Sequence, residues 1–186
     1  MYDYEIDSFY ERYFYRNLYP AVKKTLVKGT QYSCALLLFS YSEMVGSHIT
    51  GNCNKRNKGR TNYEKFLEYM GESYCELFKK FPNVNFYDRL RNGLAHEIEP
   101  KGQHGVWLTE KPSENRNGIE YVDDADLVNV HLQEYFRDFK IGMDKLYQEL
   151  KTGKNIEVLS NFINCRRQNY DRYITEEKGV KRVRNR

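Results

Sequence analysis

The sequence predicts an all-α fold with a small β-hairpin inserted near residues 103–122. Helices are indicated because apolar residues recur at helical spacing along most of the 186-residue chain, with Gly and Pro between the periodic segments. The hairpin is indicated because two short segments rich in β-branched and aromatic residues, 106–109 and 118–122, flank turn-forming residues at 112–118.

Two long helices are predicted in the N-terminal part of the chain. The first covers residues 7–28, is kinked or broken at Pro20, which cannot donate a backbone hydrogen bond, and ends at Gly29. The second covers residues 30–49. Its centre, residues 34–39, is apolar on every side, so this helix is predicted to lie buried in the middle of the fold.

One polar stripe interrupts the second helix. Ser40, Glu43 and Ser47 lie on one side of it at helical spacing. A carboxylate on a mostly buried helix needs a partner, because an unpaired buried charge is destabilising or changes its protonation. Arg89 and Arg91 are the candidate partners of Glu43. The ion pair would either order the core or orient the arginine or histidine of a functional site.

The remaining helices follow from further periodic segments. Pro82 separates two short helices from a third, and Asp124 is the predicted N-cap of the last long helix, whose apolar stripe runs from Val128 to Leu150. In order, these predicted helices cover residues 62–70, 73–80, 83–97, 125–150 and 155–173. Residues 1–173 are predicted to form one helical domain and residues 174–186 a basic tail.

Positive charge is concentrated in two places. The net charge is +4, and the tail residues 181–186 alone carry four positive charges, so the rest of the chain is near neutral. The tail is either a solvated terminus or a non-specific contact to nucleic acid. The second place is the loop at 51–60, which is either solvated or grips a phosphate backbone. Its cations are Lys55, Arg56, Lys58 and Arg60.

The chain is expected to be a cytoplasmic protein without a membrane partner. Its longest apolar run is far too short to span a bilayer, and its N-terminus lacks the basic-then-apolar pattern of a signal peptide. Cys34, Cys53, Cys75 and Cys165 are widely spaced with no Cys-x-x-Cys pair, so four unbonded thiols are expected. Because metal-ligand spacing is also missing from the sequence, neither a metal nor a cofactor is expected.

The most informative stretch is residues 87–97, which read Tyr-Asp-Arg-Leu-Arg-Asn-Gly-Leu-Ala-His-Glu. On the predicted helix, Phe86, Leu90 and Leu94 face the core, and Arg91 flanks this apolar side. Asn and His four residues apart share one side of a helix, so a polar stripe with functional groups lies opposite the core. That stripe consists of Asn85, Arg89, Asn92 and His96.

This stretch resembles the signature of HEPN domains, in which Arg is followed after four to six residues by His, often with Asn directly after the Arg. Arg91, Asn92 and His96 match that signature, and the resemblance covers about residues 31–150. HEPN domains are small all-α domains found in many prokaryotic RNases, toxins and defence proteins. The resemblance therefore implies a HEPN-like helical bundle.

The resemblance also implies a metal-independent endoribonuclease, in which the RNA 2′-hydroxyl attacks the adjacent phosphate and leaves a cyclic phosphate end. Arg91 would hold the phosphate oxygens, and His96 would take or give a proton, since the ordinary pKa of histidine is about 6.5. Asn92 would orient His96 or bind the phosphate. Arg89 would share the phosphate. Which group acts as base and which as acid stays open.

RNA is the implied partner, since the reaction uses the 2′-hydroxyl. In the family two protomers usually pair so that both motifs face one cleft, which implies a homodimer with Arg91 and His96 of both copies at that cleft. Some relatives are toxins blocked by a separately encoded antitoxin protein. The main alternative is a non-catalytic HEPN-like module that binds RNA or a protein, in which these two residues would form interface hydrogen bonds.

Overall fold

A computed structural model of the chain describes residues 3–92, 105–109, 111 and 117–177, with the side chains of Asn92 and of residues 169–177 outside that description. Its helices and strands follow in the order α1 (Asp3–Asp7, Ser8–Leu18 and Tyr19–Val27), α2 (Gln31–Thr50), α3 (Gly59–Met70), α4 (Glu72–Lys80), α5 (residues 86–92), β1 (Gly105–Thr109), β2 (Ile119–Val122), β3 (Leu127–His131), α6 (Leu132–Thr152) and α7 (Ile156–Glu177). The fold is therefore mainly helical, with one small sheet.

Helix α2 lies at the centre of the structure, as predicted. Leu38, Phe39 and Val45 have no exposed surface, and α1, α3, α6 and α7 all contact this helix. The backbones of α2 and α3 approach closely at Gly46, where an added Cβ would lie 1.7 Å from the backbone oxygen of Asn62. No helix in the described residues has the length and apolar character needed to cross a bilayer.

Helix α1 changes its winding along its length. Its middle segment, Ser8–Leu18, has π-helical winding, and the backbone N–H of Tyr19 donates to the oxygen of Phe14, five residues back. A π-helical segment of this length is unusual. Pro20, the predicted site of a kink or break, lies where α-helical winding resumes, and Gly29, with φ of 67°, follows the last turn.

The sheet differs from the predicted hairpin. The strand order is β1-β3-β2, with β1 parallel to β3 and β2 antiparallel to β3, so β1 and β2 are not neighbours. The hairpin is formed instead by β2 and β3. Its turn is the short 3₁₀ segment Asp123–Ala125 followed by Asp126, which has a φ of 46°.

Strand β3 was predicted to be the first part of a helix, and that prediction is wrong. Val128 and Val130 are completely buried on one side of the sheet, and such β-branched residues favour strands. The sequence predicted a helix here because the apolar residues of this strand, together with the apolar stripe of α6 that follows, also fit a helical repeat over a short window. Helix α6 begins at Leu132, so Asp124 is not its N-cap but part of the 3₁₀ turn.

The other predicted helices are confirmed in type where the structure describes them, with shifted ends; residues 93–97 of the predicted helix 83–97 lie outside the described residues. Helices α3 and α4 begin before the predicted residues 62 and 73, and α7 runs to Glu177 rather than residue 173. The first residues of the predicted basic tail, 174–177, are thus helical. Residues 178–186 lie outside the described residues.

Cys53 and Cys165 form a disulfide, so the prediction of four unbonded thiols is wrong. The two residues are 112 positions apart in sequence, and their Cα atoms are 5.7 Å apart in the fold. No local spacing signals such a pair, because only the packing of α7 on α2 brings the two residues together. Cys34 is buried in α2, as predicted, while Cys75 is partly exposed.

His48 of α2 is a buried titratable group. Its Nδ1 lies 2.9 Å from the backbone oxygen of Met44, its ring packs against Phe9 and Phe162, and among the described residues its Nε2 has no hydrogen-bond partner. Burial lowers the pKa of His48 to about 4, and the nearby Arg166 guanidinium acts in the same direction. The ring is therefore neutral in the folded protein at pH 7.

Replacing His48 with Leu is expected to reduce the acid sensitivity of the fold. As the pH falls from about 6.5 to about 4, His48 becomes protonated in the unfolded chain but stays neutral in the folded chain. The free energy of unfolding therefore falls by on the order of 3 kcal/mol. Urea unfolding of the wild type and His48→Leu at pH 7 and pH 4.5 measures this. Equal losses of stability in both proteins would contradict the assignment.

Candidate functional site

A cleft of about 710 Å³ opens beside α2. Its walls come from α2, from the loop of residues 51–58, from the first turns of α3 and from α5. Ser40, Glu43 and Ser47, the predicted polar stripe of α2, all line it. The one polar side of the central helix is thus the side on which the cleft forms. We call this feature the basic cleft, because the loop carries its cations.

Arg91 is held in the basic cleft by Glu43. The Nε of Arg91 donates to Oε2 of Glu43 at 3.0 Å, and about a quarter of each side chain is exposed, 27% and 25%. The predicted ion pair is therefore confirmed, with Arg91 as the partner. A charge-assisted hydrogen bond of this kind fixes the orientation of the guanidinium plane.

Tyr87 completes the cluster around Glu43. Its hydroxyl forms a hydrogen bond with the Glu43 carboxylate, and burial together with that carboxylate raises the pKa of Tyr87 to about 12. The hydroxyl therefore stays protonated at neutral pH and donates to Glu43. Tyr87 also packs against the edge of the core, and its position four residues before Arg91 places both side chains on one side of α5.

Gly59 explains how α3 and α5 approach each other at the cleft. A Cβ added at Gly59 would lie 2.0 Å from the hydroxyl oxygen of Tyr87 and 3.0 Å from Oε1 of Glu43. A side chain at this first position of α3 would displace the Tyr87 hydroxyl. The loop cations thereby come close to the Glu43 cluster.

All four cations of the predicted basic loop line the cleft. Lys55, Arg56 and Lys58 are exposed, while the Nε of Arg60 pairs with Glu64 at 2.7 Å. The first turn of α3 contains no acidic residue, so the positive end of the helix dipole adds to the same potential. The loop and Arg91 together give this cleft an excess of positive charge.

Arg89 does not reach the basic cleft. Its Nη1 donates to Oδ1 of Asp126 at 2.7 Å, and its guanidinium lies 5.6 Å from the ring centre of Tyr121. These contacts attach α5 to the β2–β3 hairpin. The two motif arginines, two positions apart in sequence, thus serve different parts of the structure.

The remaining motif residues are only partly described. Phe86 and Leu90 are buried, as predicted for the core side of α5. The backbone of Asn92 belongs to the helix, whereas its side chain, Leu94 and all of His96 lie outside the described residues. The structure therefore places Glu43 and Arg91 of the predicted site together with the basic loop.

Comparison of the chain with protein-family models, with curated proteins and with solved structures gave no match. The resemblance to HEPN domains thus rests on the motif residues. Within residues 3–92 and the described residues that follow them, no group of three or more His, Cys, Asp or Glu side chains could hold a metal ion.

Replacing Glu43 with Gln is expected to lower the free energy of unfolding by about 1–2 kcal/mol, because Arg91 and Tyr87 lose a partly buried charged acceptor. Glu64→Gln is the matched control. It breaks the exposed Arg60–Glu64 pair and should cost less than about 0.5 kcal/mol. Urea unfolding at pH 7 measures both, and equal costs would mean that the Glu43 cluster contributes no more than a surface pair.

Proposed function

We propose that this chain binds RNA in the basic cleft and cleaves it as a metal-independent endoribonuclease of HEPN type. The observation that carries the proposal is that Arg91 and the four loop cations line the same cleft. A chain of phosphates is the ligand that such a cleft favours, because phosphate oxygens accept bonds from Arg and Lys along an extended path.

The charge balance of the cleft supports a polyanion. Among its described lining residues, five are cationic and two, Glu43 and Asp88, are acidic. Glu43 is occupied by Arg91 and Tyr87, and Arg60 is paired with Glu64. In a chain whose body is near neutral, this local excess would steer RNA to one side of the molecule.

The proposed reaction uses the 2′-hydroxyl of RNA as nucleophile. Its oxygen bonds to the adjacent phosphorus, the bond to the 5′-oxygen breaks, and a cyclic phosphate end and a 5′-hydroxyl remain. Glu43 accepts the hydrogen bond from Nε of Arg91, so the two terminal nitrogens of the guanidinium remain as donors for the phosphate oxygens. His96 transfers a proton, and Asn92 orients His96 or binds the phosphate.

We further propose that two copies of the chain pair with their motifs facing one cleft, and that the protein acts on RNA in the cytoplasm. A dimer would supply Arg91 and His96 from both copies to one RNA strand. A separately encoded antitoxin that covers the cleft is a proposed additional partner.

The second candidate function is a non-catalytic RNA-binding or protein-interaction module. The observation that favours it is that both motif arginines are engaged within the chain, Arg91 by Glu43 and Arg89 by Asp126. In that case the cleft would bind RNA without cutting it. The experiments below separate the two functions.

Arg91→Ala and His96→Ala are each expected to reduce RNA cleavage at least 100-fold, because they remove phosphate stabilisation and proton transfer, respectively. The assay uses EDTA-treated protein and mixed cellular RNA, and the products should carry cyclic phosphate ends. Lys24→Ala, an exposed cation on α1 outside the cleft, is the control and should cleave like the wild type.

Cleavage by either motif variant at the wild-type rate would overturn the catalytic assignment. An oligonucleotide with a single 2′-deoxy position should resist cleavage at that position only. If the folded wild type binds RNA without cleaving it, the result supports the second candidate function, the non-catalytic module.

Replacing Lys55, Arg56 and Lys58 together with Ala is expected to weaken RNA binding for all sequences alike. Three lost phosphate contacts should reduce the slope of log K against log salt concentration by about 2 for a single strand. A triple alanine variant of Lys23, Lys24 and Lys28, exposed cations near the end of α1 and just after it, is the charge-matched control. Equal slopes for the two variants in fluorescence anisotropy titrations would place RNA elsewhere.

A further inference from the structure

The disulfide lies in the wall of the basic cleft. Cys53 belongs to the loop of residues 51–58 and lines the cleft, whereas Cys165 lies in α7 and is only 2% exposed. The bond therefore ties the segment that carries Lys55, Arg56 and Lys58 to helix α7, which packs on α2. It is the covalent link between the cleft and the C-terminal part of the fold.

Among the described residues, the other hydrogen bonds that hold this loop to the body lie mostly near its start. The backbone N–H of Asn52 donates to the oxygen of Ser47 at 2.9 Å, and its side chain donates to Asn62 at 3.2 Å. Beyond Cys53, Asn54 donates to Gln168 at 2.9 Å in an exposed hydrogen bond. Such exposed bonds exchange readily with water and restrain a loop weakly.

The two cysteines differ in exposure. Cys53 is partly exposed and lines the cleft, whereas Cys165 is buried. Thiol exchange would begin at Cys53. The attacking thiolate bonds to that sulfur, the disulfide breaks, and Cys165 leaves as a thiolate that takes a proton.

A reductant with two thiols completes the exchange. Its second thiolate attacks its own sulfur in the mixed disulfide, closes a disulfide within the reductant and releases Cys53, which takes the second proton. The protein disulfide is reduced to two thiols and the dithiol is oxidised to a disulfide, so electrons and protons balance.

We propose that Cys53 and Cys165 form a thiol-exchange site that controls the basic loop, with a cellular dithiol reductant as its reactant. In the oxidised form the loop cations are held along the cleft. In the reduced form the stretch between Asn52 and Gly59 is restrained by hydrogen bonds alone and samples more conformations. The consequence for RNA, which rests on the proposed function, is weaker binding in the reduced form. A preordered loop loses less entropy when it binds a phosphate chain.

The first experiment is independent of RNA. The full chain is equilibrated in buffers of reduced and oxidised dithiothreitol, its thiols are alkylated and counted by mass, and parallel samples receive trypsin. Cleavage after Lys55, Arg56 and Lys58 is expected to be about tenfold faster in the reduced protein. Cleavage after Lys154, in the turn before α7, is the internal control and should not change.

Cys53→Ser and Cys165→Ser should both show fast loop cleavage in every buffer, and Cys75→Ser should respond like the wild type. Three results would overturn the proposal. The first is that Cys53 and Cys165 are alkylated in the oxidised native protein. The second is that excess dithiol does not reduce the disulfide unless the protein unfolds, and the third is that trypsin cleaves the loop equally fast in the two states.

The second experiment measures RNA binding of the oxidised and reduced wild type. About tenfold weaker binding after reduction is expected, with no change in Cys165→Ser. If both states bind RNA with equal affinity although trypsin cleaves the loop faster in the reduced state, the disulfide does not control RNA binding. If neither state binds RNA, the proposed function fails while the trypsin result still decides whether the thiol site controls the loop.

Discussion

The burial of helix α2 is the constraint on which the rest of the structure depends. Its centre is apolar on every side, so water must be excluded from it by helices α1, α3, α6 and α7. The contact with α3 is possible only because Gly46 has no side chain to meet the backbone of Asn62. The polar stripe of α2 is the exception, and the surrounding elements leave the basic cleft beside it.

The electrostatics of the cleft follow from that exception. Glu43 cannot remain unpaired on a mostly buried helix, and α5 supplies both Arg91 and Tyr87 to it. This arrangement fixes how α5 sits against α2. It also separates the motif arginines, since α5 turns Arg89 toward Asp126 in the hairpin. One side of α5 thus supports the sheet while the other faces the cleft.

The cleft combines parts of the chain that are distant in sequence. The loop after α2 supplies the cations, α5 supplies Arg91, and the disulfide joins this loop to α7. A near-neutral body with a locally cationic cleft suits a ligand that is bound along one face. An RNA strand, the ligand we propose, meets that description, and under the proposed redox control the disulfide in the cleft wall would make its binding depend on the redox state of the protein.

Most of the helices could be predicted from the sequence, because a 3.6-residue apolar repeat is a local property of each segment. That Glu43 needs a cationic partner could also be predicted, since the helix that carries the carboxylate is mostly buried. Three features depend on tertiary packing instead: Arg91 as the partner of Glu43, the strand at residues 127–131, and the disulfide between Cys53 and Cys165. Those outcomes depend on which surfaces meet, and contacts between segments far apart in the chain leave no periodic trace in either segment.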